Sequence, residues 1–378
     1  MKIDFRHRLL VLAVALPATA LTAVQGLPAS AGLAHGAYQQ TNLVVDRTGP
    51  DMPTARHVDS HLVNPWGISA GPASGPATPF WVSDNGMGVT TLYANGDPVI
   101  RGGQQFVVTI PPPAGSPSGT MSTPTGTVFN GTSDFVLSDG KPALFFFATE
   151  DGTISAWNQD DGSQAELKVD NSGSAAVYKG LAFGSNASGN FLYASNFRAA
   201  RIDVIDKSFA PAALAGSFSD PNIPLGFAPF DIQNLNGTLY VTYAKQDATR
   251  HDDVAGPGLG FVDAFDTSGN LLRRIASGGA LNSPWGLAIA PSGFGPFHND
   301  LLVGNFGDGT INAFDLGTLK FHGQLGDGTG HPIQNDGLWA LRFGNGGAGG
   351  PTNTLFFTAG LNDEQDGLYG SIVSVEND

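Results

Sequence analysis

A pattern that recurs six times along the chain limits the architecture more than any other feature of the sequence. Its clearest copies lie far apart. Asn64-Pro65-Trp66-Gly67-Ile68-Ser69 leads to Phe80-Trp81-Val82-Ser83-Asp84-Asn85-Gly86, and Ser283-Pro284-Trp285-Gly286-Leu287-Ala288 leads to Leu301-Leu302-Val303-Gly304-Asn305-Phe306-Gly307. Four weaker copies fill the gaps. They start near Gly126, Lys179, Pro229 and Gly337, and each runs on to an apolar strand that ends in polar residues. A third strand follows, as in Thr153-Ile154-Ser155-Ala156-Trp157, Phe261-Val262-Asp263-Ala264-Phe265-Asp266 and Thr310-Ile311-Asn312-Ala313-Phe314-Asp315. Apolar residues alternate there with small or polar ones, the period-2 signature of a strand with two unlike faces.

The repeat spans roughly 45 to 60 residues, about the four strands of one propeller blade. One such sheet cannot cover both its faces; radial stacking can. The expected fold is all-β, a six-bladed β-propeller with four-stranded blades. A β-sandwich gives no reason for sixfold recurrence. The sixth copy runs out one strand short, and Tyr38 to Asp46 is strand-like and precedes the first copy. That segment is expected to pair near Gly370 to Val375, closing the last blade with the N-terminal strand and covering an open edge.

Composition agrees. Gly 52 and Pro 25 fall mainly between short apolar runs, and apolar residues make up 41%, enough for a large core. Residues 1–31 stand apart. Lys2, Arg6 and Arg8 precede the apolar stretch Leu9 to Ala20, and Ala29-Ser30-Ala31 is a small-x-small cleavage site before Gly32. This predicts a secretory signal peptide, with a second possible cut after Ala23, and a single propeller domain over residues 32–378. The mature protein is expected to be soluble and extracellular or periplasmic. Cysteine count is zero, so no disulfide or thiolate metal site is available. Removing residues 1–31 takes away Lys2, Arg6, Arg8 and Asp4 and leaves 15 basic against 32 acidic side chains, a net charge of −17. Such a field repels nucleic acid and anionic lipid. Neither nucleic acid nor membrane insertion is expected.

In a propeller, the start of each innermost strand and the turn after its second strand lie at one end. Several polar clusters then share a face: Asn64 with Asp84-Asn85; Glu150-Asp151; Lys179 with Asn196 and Arg198; Asp231 with Lys245 and Asp247; Asn282 with Asn305 and Asp308; Asp336 with Asn362, Asp363 and Glu364. Trp66, Trp285 and Trp339 start innermost strands near the same end, so a ligand pocket is one reading and blade packing the other. Asp, Asn and Gly are also what tight turns recruit. Lys179, Arg198 and Lys245 carry more weight, since basic residues are scarce and turns do not need them. Lys245 to Gly258 forms a long charged loop on this face. The candidate ligand-binding residues are Asn64, Asp84, Lys179, Asn196, Arg198, Asp231, Lys245, Asp247, Asn305 and Asp308. The opposite end receives loops of mostly small residues, and any specific ligand is expected at the first end.

Other chemistry is sparse. Gly307-Asp308-Gly309 and Asp160-Asp161-Gly162 lack the twelve-residue spacing of a calcium loop. His57-Val58-Asp59-Ser60-His61 has two histidines but no Glu of a zinc-protease helix. No nucleophile elbow, phosphate loop or dinucleotide fingerprint occurs.

The stretches Asn64 to Ser69, Trp81 to Gly86, Ala148 to Ile154, Tyr240 to Asp247 and Val303 to Asp315 resemble an uncharacterised family of exported bacterial proteins, conserved hypotheticals that look like NHL-type six-bladed propellers. The resemblance runs from about Tyr38 to Val375. The family brings no established activity. More distantly, the chain is similar to calcium-dependent lactonases and phosphotriesterases. Those place a Glu at the start of the first innermost strand, with Asn and Asp of other blades around one axial calcium. Here that stretch reads Leu62-Val63-Asn64-Pro65-Trp66, without Glu; Asn196, Asp231 and Asn305 are the oxygens the similarity offers. Two functions are therefore carried forward. The first is a non-catalytic module presenting one loop-rich face to a small molecule, glycan, peptide or protein. The second is a calcium-dependent hydrolase of a lactone or phosphoester.

Overall fold

The computed structural model describes residues 37–72 and 77–375. The expected signal peptide at residues 1–31 lies outside the described residues. Six sheets stand in a ring, the first five built in chain order from the axis outward and the last completed by N-terminal strands. Their innermost strands are Pro65–Ser69, Pro124–Phe129, Tyr178–Asn186, Phe227–Leu235, Pro284–Ile289 and Leu338–Phe343, in blades 1 to 6. The six-bladed propeller is the fold the repeats predict.

The last blade closes as expected. Tyr38–Val45 runs antiparallel to Asp366–Ser374, with Tyr38 opposite Ser374 and Val45 opposite Leu368. His57–Val58 then adds a short parallel strand outside it. Blade 3 departs from the four-strand expectation. Among the described residues it has three strands, Tyr178–Asn186, Gly189–Asn196 and Arg201–Asp206. The chain beyond them carries Pro211, Pro221 and Pro224. Proline has no N–H to give a ladder, and this stretch meets the blade edge in a single bridge, Ile205 opposite Pro211, without forming a regular fourth strand.

The Pro-Trp-Gly motif has a physical reason at each place. Its third position is Gly67, Gly126, Gly180 and Gly286 in blades 1, 2, 3 and 5. A Cβ there would collide with the next blade: with Thr125 O from Gly67, Leu181 N from Gly126, Asp231 from Gly180 and Trp339 O from Gly286. Glycine lets neighbouring innermost strands approach closely enough to close the ring. The second position points to the axis. It is Trp66, Thr125, Lys179, Phe230, Trp285 and Trp339 in blades 1 to 6.

Those second-position side chains fill the centre. Trp66 stacks on Trp339 with centroids 3.5 Å apart, and Trp285 meets both rings edge-on at 6.0 and 5.7 Å. Phe230 and Phe306 pack against Trp339 at 5.9 and 4.1 Å. The three tryptophans are buried. They form a packed plug across the axis, their faces taken up by one another and by Phe306 rather than presented to solvent.

Candidate binding site on the propeller axis

Above the plug, at the end where the innermost strands begin, polar groups from five blades meet. Trp339 Nε1 donates to Asn64 Oδ1 at 3.0 Å, so the plug itself orients the first amide. Asn64 Nδ2 in turn donates to Glu364 Oε2 at 2.6 Å and to Asn85 Oδ1 at 3.4 Å. Asn85 Nδ2 donates to Glu150 Oε2 at 2.8 Å. The other oxygen of Glu150 accepts from Lys179, whose Nζ also lies 3.1 Å from Asp252 Oδ1. Asp252 Oδ1 is 2.8 Å from His251 Nδ1. One continuous chain therefore links blades 6, 1, 2, 3 and 4.

Lys179 is the hub. Its side chain is 3% exposed. The ammonium stands 5.1 Å above the Trp66 ring and 5.9 Å from that of Phe197, on the negative faces of both. Burial alone would favour the neutral amine. Glu150 and Asp252 outweigh that, and the pKa of Lys179 moves up. Three carboxylates, Glu150, Asp252 and Glu364, stand in the cluster around this single cation, and half-buried Asp253 also feels its charge.

Glu364 is held in an uncommon way. Asn362, Asp363 and Glu364 have φ of 53°, 54° and 64°, three successive left-handed residues. Each such residue costs on the order of 1–2 kcal/mol, less for Asn and Asp. The surroundings fix the turn. Asn362 Nδ2 donates to Asp366 Oδ2 at 2.7 Å, and Arg47 pairs with Asp366 and Asp51 at 2.6 Å each. Strain maintained in this way is common where a side chain must be presented to a partner. Burial, and then the nearby charge of Glu150, push the Glu364 carboxyl up to about 7, against the pull of Asn64.

The sequence candidates separate into three groups. Asn64 and Lys179 stand in this cluster. Asp247 shapes the loop beside it, accepting from Thr249 Oγ1 at 2.7 Å and His251 N at 2.9 Å, and so aims Asp252 at the axis. The long charged loop is thus an ordered arm of the site, bridged between Gln246 and Asp253. Lys245 is exposed at its root, and half-buried Arg198 lies near it, its carbonyl 3.5 Å from Gln246 Nε2. The remaining candidates serve turns or core. Asn196 Nδ2 donates to Asp203 Oδ2 at 2.8 Å. Asn305 Nδ2 donates to Ala280 O at 2.8 Å, and Asp308 accepts from Thr310 Oγ1 at 2.7 Å. Asp84 is wholly buried in blade 1, its pKa raised by burial and by Asp59. Asp231 is buried against Gly180, and burial pushes its pKa up to about 8.

Asn196, Asp231 and Asn305 therefore do not gather around the axis. Ligand atoms of Glu150, His251 and Asp252 do lie within 4.8 Å of one another. That set offers two carboxylates and an imidazole, with the Lys179 ammonium already bound to both carboxylates. Calcium asks for six to eight oxygens, which this set does not supply.

No protein-family model matches the chain. Among solved structures, the α-L-arabinanase of Penicillium chrysogenum, complexed with arabinobiose, is similar with a TM-score of 0.53 and 12% identity. That match covers 89% of this chain and 98% of the enzyme. It is a likeness of fold alone. Sequence relatives are nearer. "Uncharacterized protein R648" of Acanthamoeba polyphaga mimivirus is 33% identical over 351 residues, 87% of this chain and 78% of that protein. "Uncharacterized protein L690" of the same virus is 32% identical over 334 residues, 84% of this chain and 82% of its own length. The chain belongs to the family that these two mimivirus proteins represent.

Proposed function

We propose that the protein is an exported, non-catalytic binding module whose ligand seats over the axis, on the face that carries Glu364, Asn64, Asn85, Glu150, Lys179, Asp252 and His251. Export rests on the N-terminal pattern of residues 1–31 and on the resemblance of the repeat motifs to an exported bacterial family. The observation that carries the site is the strained left-handed turn that holds Glu364 above the plug, with its carboxyl titrating near neutrality. A fold spends such strain where a group must face a partner.

The chemistry selects a partner rich in donors. Three carboxylates and two amide carbonyls face one ammonium that two of the carboxylates already neutralise. An amine, or the hydroxyls of a glycan, finds acceptors here; an anion meets repulsion. Calorimetry against neutral oligosaccharides and amine-bearing peptides tests this. A binder should lose at least tenfold in affinity in Glu364→Gln and in Asp252→Asn. Affinity unchanged in both variants, or protection mapped to the opposite loops, would overturn the assignment.

The hydrolase reading retains one favourable observation, the proximity of Glu150, His251 and Asp252. It requires a metal to displace Lys179 from two carboxylates. Calcium that raises the melting temperature would restore it, because a ligand bound only by the folded state stabilises that state.

A further inference from the structure

The other end of the axis holds a second cavity, of about 340 Å³. Below the plug, the far halves of the innermost strands line it. Ser69, Thr127 and Gln233 supply polar groups, and Phe129, Phe183 and Phe343 supply aromatic wall. A neighbouring cavity of about 450 Å³ continues it between blades 4, 5 and 6. Arg342 lines both, and it is the only charged residue among the lining residues of either.

Arg342 is out of place by ordinary rules. It sits on an innermost strand, opposite Phe356, in a protein of strongly acidic balance. Two other cations withdrawn from solvent have acids: buried Lys179 has Glu150 and Asp252, and half-buried Arg274 has Asp220 and Asp263. Arg342 is half-buried against the cavity wall and has no acid partner among the described residues. A guanidinium does not shed its proton at any ordinary pH, so it keeps its charge there. Part of its hydration is lost to the wall, and no ion pair within the described residues replaces it.

We propose that this lower cavity is a binding site for a small organic carboxylate, whose oxygens pair with the Arg342 guanidinium and whose apolar body packs on Phe129, Phe183 and Phe343. The planar fork of arginine matches a carboxylate with two parallel hydrogen bonds. Ser69 and Thr127, joined to each other at 2.9 Å, leave hydroxyl capacity for a further contact. The aromatic wall selects an organic acid over an inorganic anion, because bare phosphate gains nothing from it. The cavity volume falls within the range of small-ligand sites. Below the plug the site is separated from the carboxylate cluster by the stacked tryptophans, so the two ends bind independently.

Calorimetry with benzoate and with inorganic phosphate, on the intact protein at low salt, tests the proposal. Benzoate should bind, and at least tenfold more tightly than phosphate. Arg342→Gln should abolish binding while the melting temperature without ligand is retained or raised, since a half-buried charge without an ion pair among the described residues has been removed. Arg342→Lys keeps the charge without the fork and should recover only part of the affinity. Lys320→Ala, an exposed cation on an outer strand, should change nothing. Undetectable benzoate binding at 10-fold above the millimolar range, about 10 mM, would overturn the proposal. So would equal affinity for phosphate, or benzoate binding that survives Arg342→Gln.

Discussion

The two ends of the axis solve one problem in opposite ways. At the upper end a buried cation is surrounded by more acid than it needs: Lys179 meets Glu150 and Asp252, with Glu364 beside them. At the lower end half-buried Arg342 lines a cavity of mixed polar and aromatic wall, with no acid among the lining residues. The first arrangement is self-satisfied in charge and has acceptors left over. The second has no ion pair among the described residues and, on the proposal above, takes its partner from outside. Between them stands the tryptophan plug, whose polar contacts among the described residues are the Trp339 N–H to Asn64 and the Trp285 N–H to the Lys179 carbonyl. A propeller built from divergent copies of one repeat can offer two unlike sites, since the second position of the motif alone supplies Trp, Thr, Lys and Phe to the axis.

The strongest way to break that separation is to open the plug. Trp339→Ala removes the ring that stacks on Trp66 and the donor that orients Asn64. It should cost about 3–5 kcal/mol in denaturant unfolding. If it costs under 1 kcal/mol or so, the plug is not the wall described here.

The next largest effect tests the upper end. Lys179→Met leaves Glu150 and Asp252 facing each other and should destabilise by about 3 kcal/mol, at the low end for a buried pair because Asp252 is exposed. Adding Glu150→Gln should restore part of that loss. A double variant no more stable than the single one would mean that Lys179 acts through packing alone.

A smaller effect sharpens the contrast through pH. The Glu364 carboxyl titrates at about 7 when folded, against 4.5 as its ordinary value. The folded state therefore holds this proton more tightly. Its contribution to stability is full below the ordinary value and is lost as pH rises through about 7. Glu364→Gln should match the parent at pH near 4 and exceed it above pH 8, by about 2 kcal/mol after allowance for partial exposure. Asp231→Asn should remove a separate step that ends near 8. Melting curves from acid to alkaline pH read both. No lower-end variant should alter either step.

The smallest effect concerns the rim. Lys245 is exposed and Arg198 half-buried, and neither has an ion pair among the described residues. Lys245→Ala should change stability by less than about 0.5 kcal/mol. Loss of a donor-rich ligand in that variant would extend the upper site outward along the charged loop.

How legible was this in the sequence? The ring was, because Pro-Trp-Gly and its copies mark where strands meet at the axis. So was closure, since a strand was missing at one end and spare at the other. The blade 3 edge was not; three prolines outweigh a repeat pattern. In the site, Lys179 stood out as a basic residue where turns need none. Asn196, Asn305 and Asp308 look identical to it by position, yet they close their own turns. Glu364 reads as one more acidic turn residue, and only the left-handed backbone distinguishes it. Arg342 occupies a strand whose neighbours, Leu341 and Phe343, suggest core. Its meaning lies in the missing acid, and partners across blades cannot be counted along a chain.

Closure of the sixth blade also sets a timetable. Tyr38 waits for Ser374, its partner in the ladder, so the first strand made is among the last to be paired. Until then blades 1 to 5 form an open arc, with two bare sides and a half-built axis into which Trp339 has not yet been placed. The sites proposed at the two ends of the axis both draw on the last blade, through Glu364 above the plug and Arg342 below it. Their completion therefore waits on the same docking event, and a chain stalled or cut before it is expected to lack both, whatever blades it has already assembled.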